Sequence, residues 1–226
     1  MPQYLSLMDS YYVDTVSGIL FILIPTIVGW ARFSNISPVF YPFLISIWLN
    51  ALNVIFGSII VQFGYYNIFH YNIWFLLDAF LALWLFKKWN LFESKQLYHS
   101  LWFILGICWL LESIFLSKLT QDYNSYFRIF YSFLIVLMSI STINFLLMRE
   151  RKPLLKNPIF IICCTFVLMN TITVLAEAFF TSHLQLGDKF RINMEKMIMY
   201  TGFLFNTVYA IAILWMPKKQ AFILQY

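Results

Sequence analysis

Three carboxylates stand inside long apolar runs: Asp78 in NIWFLLDAFLALWLF, Glu112 in ICWLLESIFL and Glu177 in TVLAEAFF. An ionised acid at bilayer depth costs about 2.5–3.5 kcal/mol on insertion scales, so each needs a compensating partner or a task. Two kinds of chemistry follow. Either the acids line one water-accessible cavity that takes a cation, a proton or an amine-bearing ligand, or each is neutral and hydrogen-bonded to an Asn, a Tyr or backbone on the next helix. In the second case the contact holds helices together at roughly 0.6 kcal/mol. Asp78 is the strongest of the three for a binding role, with Asn50, Asn53 and Asn206 as its expected partners. His70, Trp74 and Asp78 recur at i+4 and share one helix face. The helix rise separates His70 from Asp78 by about 12 Å, too far for a direct bond.

Other chemistries find no residues to carry them. The three histidines, His70, His99 and His183, fall near opposite ends of the apolar runs and cannot converge on one metal. No metal site, cofactor motif or catalytic residue is therefore expected, and a Ser–His pair at depth is missing for the same reason. The last apolar run has Lys196 at its start and no lysine within it, which argues against a retinal protein. Cys163 and Cys164 are neighbours in one apolar run and Cys108 sits in another, so they read as buried thiols and not as a disulfide scaffold. The chain is expected not to be an enzyme.

The elements that must position the acids are membrane helices. Hydrophobic residues make up 62% of the chain and charged residues only 11%, against about 25% charged in soluble domains. About 20 apolar residues cross a hydrocarbon layer of ~30 Å. Seven such spans are expected, over about 16–30, 39–63, 68–88, 99–117, 127–148, 159–180 and 197–216. The predicted class is all-α: a polytopic membrane protein, a seven-transmembrane-helix bundle forming one transmembrane domain and no soluble one. Asn50, Asn53 and Gly57 fall at i, i+3 and i+7 on the second span, and Asn170, Thr173 and Glu177 do the same on the sixth. Each set makes a polar face that should point at protein, because lipid cannot pair an amide. Gly57 and Gly64 are seven apart and mark either a close helix crossing or a packing position.

Lys and Arg set orientation. Ten of them fall on one side: Arg32, Lys87, Lys88, Lys95, Arg149, Arg151, Lys152, Lys156, Lys218 and Lys219. Five fall on the other: Lys118, Arg128, Lys189, Arg191 and Lys196. The first side should be cytoplasmic, which puts the N-terminus outside, the C-terminus inside and all three acids in the outer half. The first residues carry Asp9 and Asp14 and lack a basic region, so no cleavable signal peptide is expected. Tyr11, Tyr12, Trp30, Tyr65, Tyr66, Trp89 and Tyr98 suit the interface with headgroups. The net charge of +5 is spread among loops and forms no basic stripe, which excludes nucleic acid as a partner.

The segments WLNALNVIF, IFHYNIWFLLDAFLALWLF, MNTITVLAEAFF and FLFNTVYAIAIL resemble a family of small, uncharacterised bacterial seven-helix inner-membrane proteins. The positions that carry the likeness are Asn67, His70, Tyr71, Asp78, Asn206 and Tyr209, with Asp78 standing where that pattern has Glu. The resemblance implies a multi-pass protein of a bacterial inner membrane and brings no activity with it. The plan is also similar to the membrane half of seven-helix sensory receptors without an output domain. The expected function is a membrane sensor or signalling accessory that binds a ligand or cation from outside and acts through a separate cytoplasmic or membrane partner. The alternative is a small proton- or cation-coupled transporter or channel, although spans one to three and five to seven show no convincing repeat. A second copy of the chain, or another membrane protein covering its polar faces, is the remaining partner beside the lipid bilayer.

Overall fold

The computed structural model describes residues 19–64, 67–116, 122–149, 154–181 and 188–219. Val16 to Gly18 of the first expected span lie outside the described residues, as do Tyr11, Tyr12, Tyr65, Tyr66, Lys118, Arg151, Lys152 and His183. The chain folds into helices: α1 (Ile19–Asn35), α2 (Tyr41–Gln62), α3 (Ile68–Lys88), α4 (Lys95–Leu111), α5 (Ser125–Arg149), α6 (Pro158–Thr181) and α7 (Asp188–Trp215). By length and composition six helical stretches can cross a membrane: Pro38–Gln62, Ile68–Lys88, Lys95–Leu116, Ser125–Met148, Pro158–Phe179 and Lys196–Trp215. The described part of α1 is apolar but shorter. This is a helical membrane bundle. Many of its large apolar side chains point outward, including Phe103, Phe115, Met148 and Leu204, as expected where lipid is the solvent.

The helix bounds depart from the sequence pattern where polar residues open or close a helix. α4 starts at Lys95, four residues before the expected 99, because the Ser94 hydroxyl accepts from the Gln96 N–H and caps the helix. α7 starts at Asp188, inside what reads as a polar loop over 181–193. Apolar pattern marks the part of a helix in lipid, and the backbone continues helical beyond it.

α3 ends on local chemistry. Asn90 adopts φ 57°, the left-handed region. Its N–H donates to the Lys87 carbonyl, and the Leu91 N–H donates to the Phe86 carbonyl. That pair of bonds is the Schellman arrangement, with Asn in the position glycine usually fills. Leu91 packs in the same cluster as Phe86, and Lys87 sits 4.0 Å over the Tyr98 ring.

The link between α1 and α2 is not a free polar loop. Arg32 belongs to α1, and its guanidinium donates to the carbonyls of Ile213 and Leu214, closing the end of α7. The Ser37 N–H donates to the Pro217 carbonyl and the Lys219 N–H to the Asn35 carbonyl, with Ile36 and Lys218 bridged between them. The chain after α7 is thus clasped to the chain before α2. Above this clasp, Phe40, Phe43, Leu44, Ile162, Ala212 and Ile213 form a dense core shared by α2, α6 and α7. A second core joins α3, α4, α5 and α6 through Phe75, Leu83, Phe86, Leu105, Phe127 and Cys163.

Of the two glycines on the second span, Gly57 lies against Tyr71 of α3, where an added Cβ would sit 3.2 Å from the Tyr71 Oη. Gly64 has open space around it and takes φ +77° in the turn after α2. The spacing of seven therefore joins a packing site and a turn, not two points of one helix crossing.

Candidate functional site

Between the two cores lies a cavity of about 250 Å³ bounded by α1, α2, α3, α5, α6 and α7. On α3 its lining runs from Tyr71 through Trp74 and Asp78 to Leu85, roughly 20 Å by helix rise. Asp78 is only partly covered, and it faces this space. Its Oδ1 accepts from the Ser46 hydroxyl across a long 3.4 Å. Asn50, Asn53, Asn206 and Trp74 line the same cavity, so the structure brings five of the eight residues singled out in the sequence to one place.

Part of the lining is aromatic. Phe43 of α2, Phe166 of α6 and Tyr209 of α7 form a triangle of rings with centroids 5.2, 6.3 and 6.2 Å apart. Tyr209 donates to the Met169 sulfur at 3.8 Å, which keeps its hydroxyl satisfied in an apolar setting. Phe40, Ile162 and Ile213 are buried in the same core as Phe43 and Tyr209.

Arg128 forms the wall on the α5 side. It lies in the first turn of α5, and Glu177 lies in the last turn of α6. The two helices are antiparallel, so these residues meet, with Arg128 Nη1 at 2.5 Å from Glu177 Oε1. The guanidinium also sits 4.7 Å over the Phe75 ring. Its Nε is buried and has no hydrogen-bond partner among the described residues. The same holds for the Asn53 Oδ1. Two further polar groups around the cavity are satisfied within their own helix. Asn170 donates to the Phe166 carbonyl and Thr173 to the Met169 carbonyl.

Glu112 is elsewhere. The three acids do not share one cavity. Helix α4 changes pitch at Glu112–Leu116, which form a π-helical turn. This turn buries Glu112 and Ser113 while Ile114, Phe115 and Leu116 stay exposed. Glu112 accepts the Tyr126 N–H at 3.0 Å and the Phe127 N–H at 2.5 Å, so it caps α5. A neighbouring residue completes the junction. Asn72 is fully buried; its Nδ2 donates to the Asp122 carbonyl, its Oδ1 accepts the Asn124 N–H, and its own carbonyl accepts from Trp109. Asn124 in turn donates to the Ser113 hydroxyl at 2.6 Å. α3, α4 and α5 are knit together by this network, which fits the structural reading of an intramembrane acid. His70 does not line the cavity. Its ring lies against Phe56 and Tyr71.

The sequence does not single out Arg128, Tyr131 and Ser46 as parts of the site; it gives Arg128 only as one of five basic residues on the outer side. One signal was present: antiparallel neighbours put the first turn of α5 at the same depth as the last turn of α6, where the acid waits. Among the described residues no group of three or more His, Cys, Asp or Glu side chains could hold a metal.

No protein-family model matches the chain, and no curated protein or solved structure matches it. The class is therefore defined by the bundle and its cavity alone.

Proposed function

We propose that this chain is a membrane sensor or signalling accessory that binds a small ligand in the Asp78 cavity and acts through a separate partner. The observation that carries the reading is a cavity inside the bundle that one acid faces. Asp78, Asn50, Asn53, Asn206 and Arg128 line it together with the rings of Phe43, Phe166 and Tyr209. Polar groups of both signs set among aromatic rings suit the holding of a small ligand. The excess of Lys and Arg around the clasp of Asn35 and Lys219 supports a cytoplasmic side there, in a bacterial inner membrane, with the cavity's Tyr71 end toward the outside. Arg32, Lys87, Lys88 and Lys95 then form part of the surface offered to a cytoplasmic partner. A ligand shifts such a bundle only through different affinity for two arrangements. The ion pair of Arg128 with Glu177, at the cavity wall, is the contact between helices that a ligand would perturb most directly.

A second reading has its own support. Asp78, Arg128 and Glu177 form a charged series across α3, α5 and α6, which suits a proton- or cation-coupled transporter or channel. Ion flux in proteoliposomes, wild type against Asp78→Asn with both shown to be folded, separates the two. The sensor reading expects no flux under proton, sodium or potassium gradients. Flux that vanishes in the variant would replace it with transport.

A further inference from the structure

We infer that the ligand of the Asp78 cavity is a small zwitterion carrying an ammonium and a carboxylate, the size of a short amino acid. This inference rests on the cavity being a ligand site, and it goes on to name the ligand's chemistry.

Three groups set that chemistry. Asp78 supplies a carboxylate that faces the cavity, accepts a long bond from the Ser46 hydroxyl and has Tyr131 and Arg128 beside it. Asn53 is 4% exposed and lines the cavity, and its side-chain oxygen is buried without a donor among the described residues. A buried acceptor left unmade costs about 1–3 kcal/mol, so a ligand N–H that reaches it is favoured. Arg128 lines the same space with a buried Nε–H that has no acceptor among the described residues. Glu177 occupies its Nη1 and leaves the other edge of the guanidinium for an anion.

The levels are readable from the helix pairing. Gly57 meets Tyr71, so antiparallel α2 and α3 put Asn53 near the level of Phe75, which lies under the Arg128 guanidinium. Asp78 is three residues further along α3, roughly 4.5 Å deeper. One acidic and one cationic group at that offset match a ligand with opposite charges at its two ends. Trp74, Tyr71 and Tyr131 supply apolar and ring surface between them. The volume, about 250 Å³, falls below the roughly 300–1,000 Å³ of pockets for drug-sized ligands. A ligand of few heavy atoms fits.

A ligand with only an ammonium would leave the Arg128 Nε–H unpaired, and one with only a carboxylate would set like charge near Asp78. A neutral ligand would bring no cation to Asp78 and no anion to the Arg128 Nε–H. The zwitterion is the class that answers all three groups at once.

The test uses the full chain in nanodiscs and calorimetric titration with glycine, β-alanine and γ-aminobutyrate, each compared with butylamine and butyrate. At least one zwitterion should bind tenfold or more tightly than butylamine, and butyrate should bind least. Asp78→Asn should lower zwitterion affinity at least tenfold. Arg128→Lys keeps the charge but loses the Nε–H, and should abolish the preference for zwitterion over butylamine while butylamine binding stays. Asn53→Leu, which does not touch the Arg128 pair, should weaken zwitterion and amine alike. Equal binding of butylamine and the zwitterions by the wild type would overturn the ligand class and leave the cavity reading standing. Tightest binding of butyrate, unchanged in Asp78→Asn, would overturn it too. If the folded wild type bound none of the probes, both the ligand class and the cavity reading would fall.

Discussion

Arg128 on α5 and Glu177 on α6 are joined at 2.5 Å between Nη1 and Oε1, at the wall of the central cavity. The pair fixes the register of two long antiparallel helices at their ends away from the clasp. The Arg128 side chain is 31% exposed and Glu177 10%, so the acid depends on the pair more than the guanidinium does.

Glu177→Ala should lower the stability of the bundle by about 1.5–3 kcal/mol, the range for hydrogen bonds to charged groups. Glu177→Gln keeps an acceptor for Arg128 and should cost less. Thermal unfolding in detergent or nanodiscs checks the order. A Gln variant as unstable as the Ala variant would count against the pair as a helix register lock.

Glu112 and Asp78 should behave oppositely. Glu112→Ala removes the cap that accepts the Tyr126 and Phe127 N–H groups and should cost about 0.5–2 kcal/mol. Asp78→Asn retains an oxygen for the Ser46 hydroxyl and should melt close to wild type. Paired melting curves decide it. A large loss in Asp78→Asn would turn that acid into structural glue.

Asn72→Leu should destabilise the junction of α3, α4 and α5. The change strands the buried Asn124 N–H, at about 1–3 kcal/mol for a group left buried and unpaired, and removes the donor to the Asp122 carbonyl. Hydrogen exchange should quicken over 122–128 in this variant while the far ends of α2 and α7 keep their protection. Uniform protection throughout would show that the network carries no local stability.

Asn90→Gly and Asn90→Val test the end of α3. Glycine takes the left-handed φ of 57° at no steric cost, so Asn90→Gly should be neutral or slightly stabilising. Valine is branched at Cβ and should cost about 1–2 kcal/mol. Equal melting temperatures for the two variants would argue against the left-handed cap.

Much of the frame was legible beforehand because bilayer thickness imposes a length on every apolar run. The third helix, Ile68–Lys88, coincides with the expected 68–88, since Lys87 and Lys88 end the apolar run where the backbone cap also falls. The polar faces were legible too. Asn50 and Asn53 at i and i+3 line the cavity, as do Asn170 and Thr173. Periodicity alone places them on one side of a helix. The clasp between Asn35 and Lys219 was not legible. It consists of backbone bonds between segments at opposite ends of the chain, and no residue type announces it.

Composition and the spacing of apolar runs determined that the chain is a helical membrane bundle with buried acids, because the cost of polar groups in hydrocarbon permits little else. Which acid does what was decided by tertiary structure. Asp78, Glu112 and Glu177 look alike in sequence, each a carboxylate in an apolar run. Packing turned Glu112 onto the start of α5, gave Glu177 to Arg128, and left Asp78 facing the cavity. A carboxylate's role is set by the donors that reach it, and donors from other helices arrive only when the bundle closes.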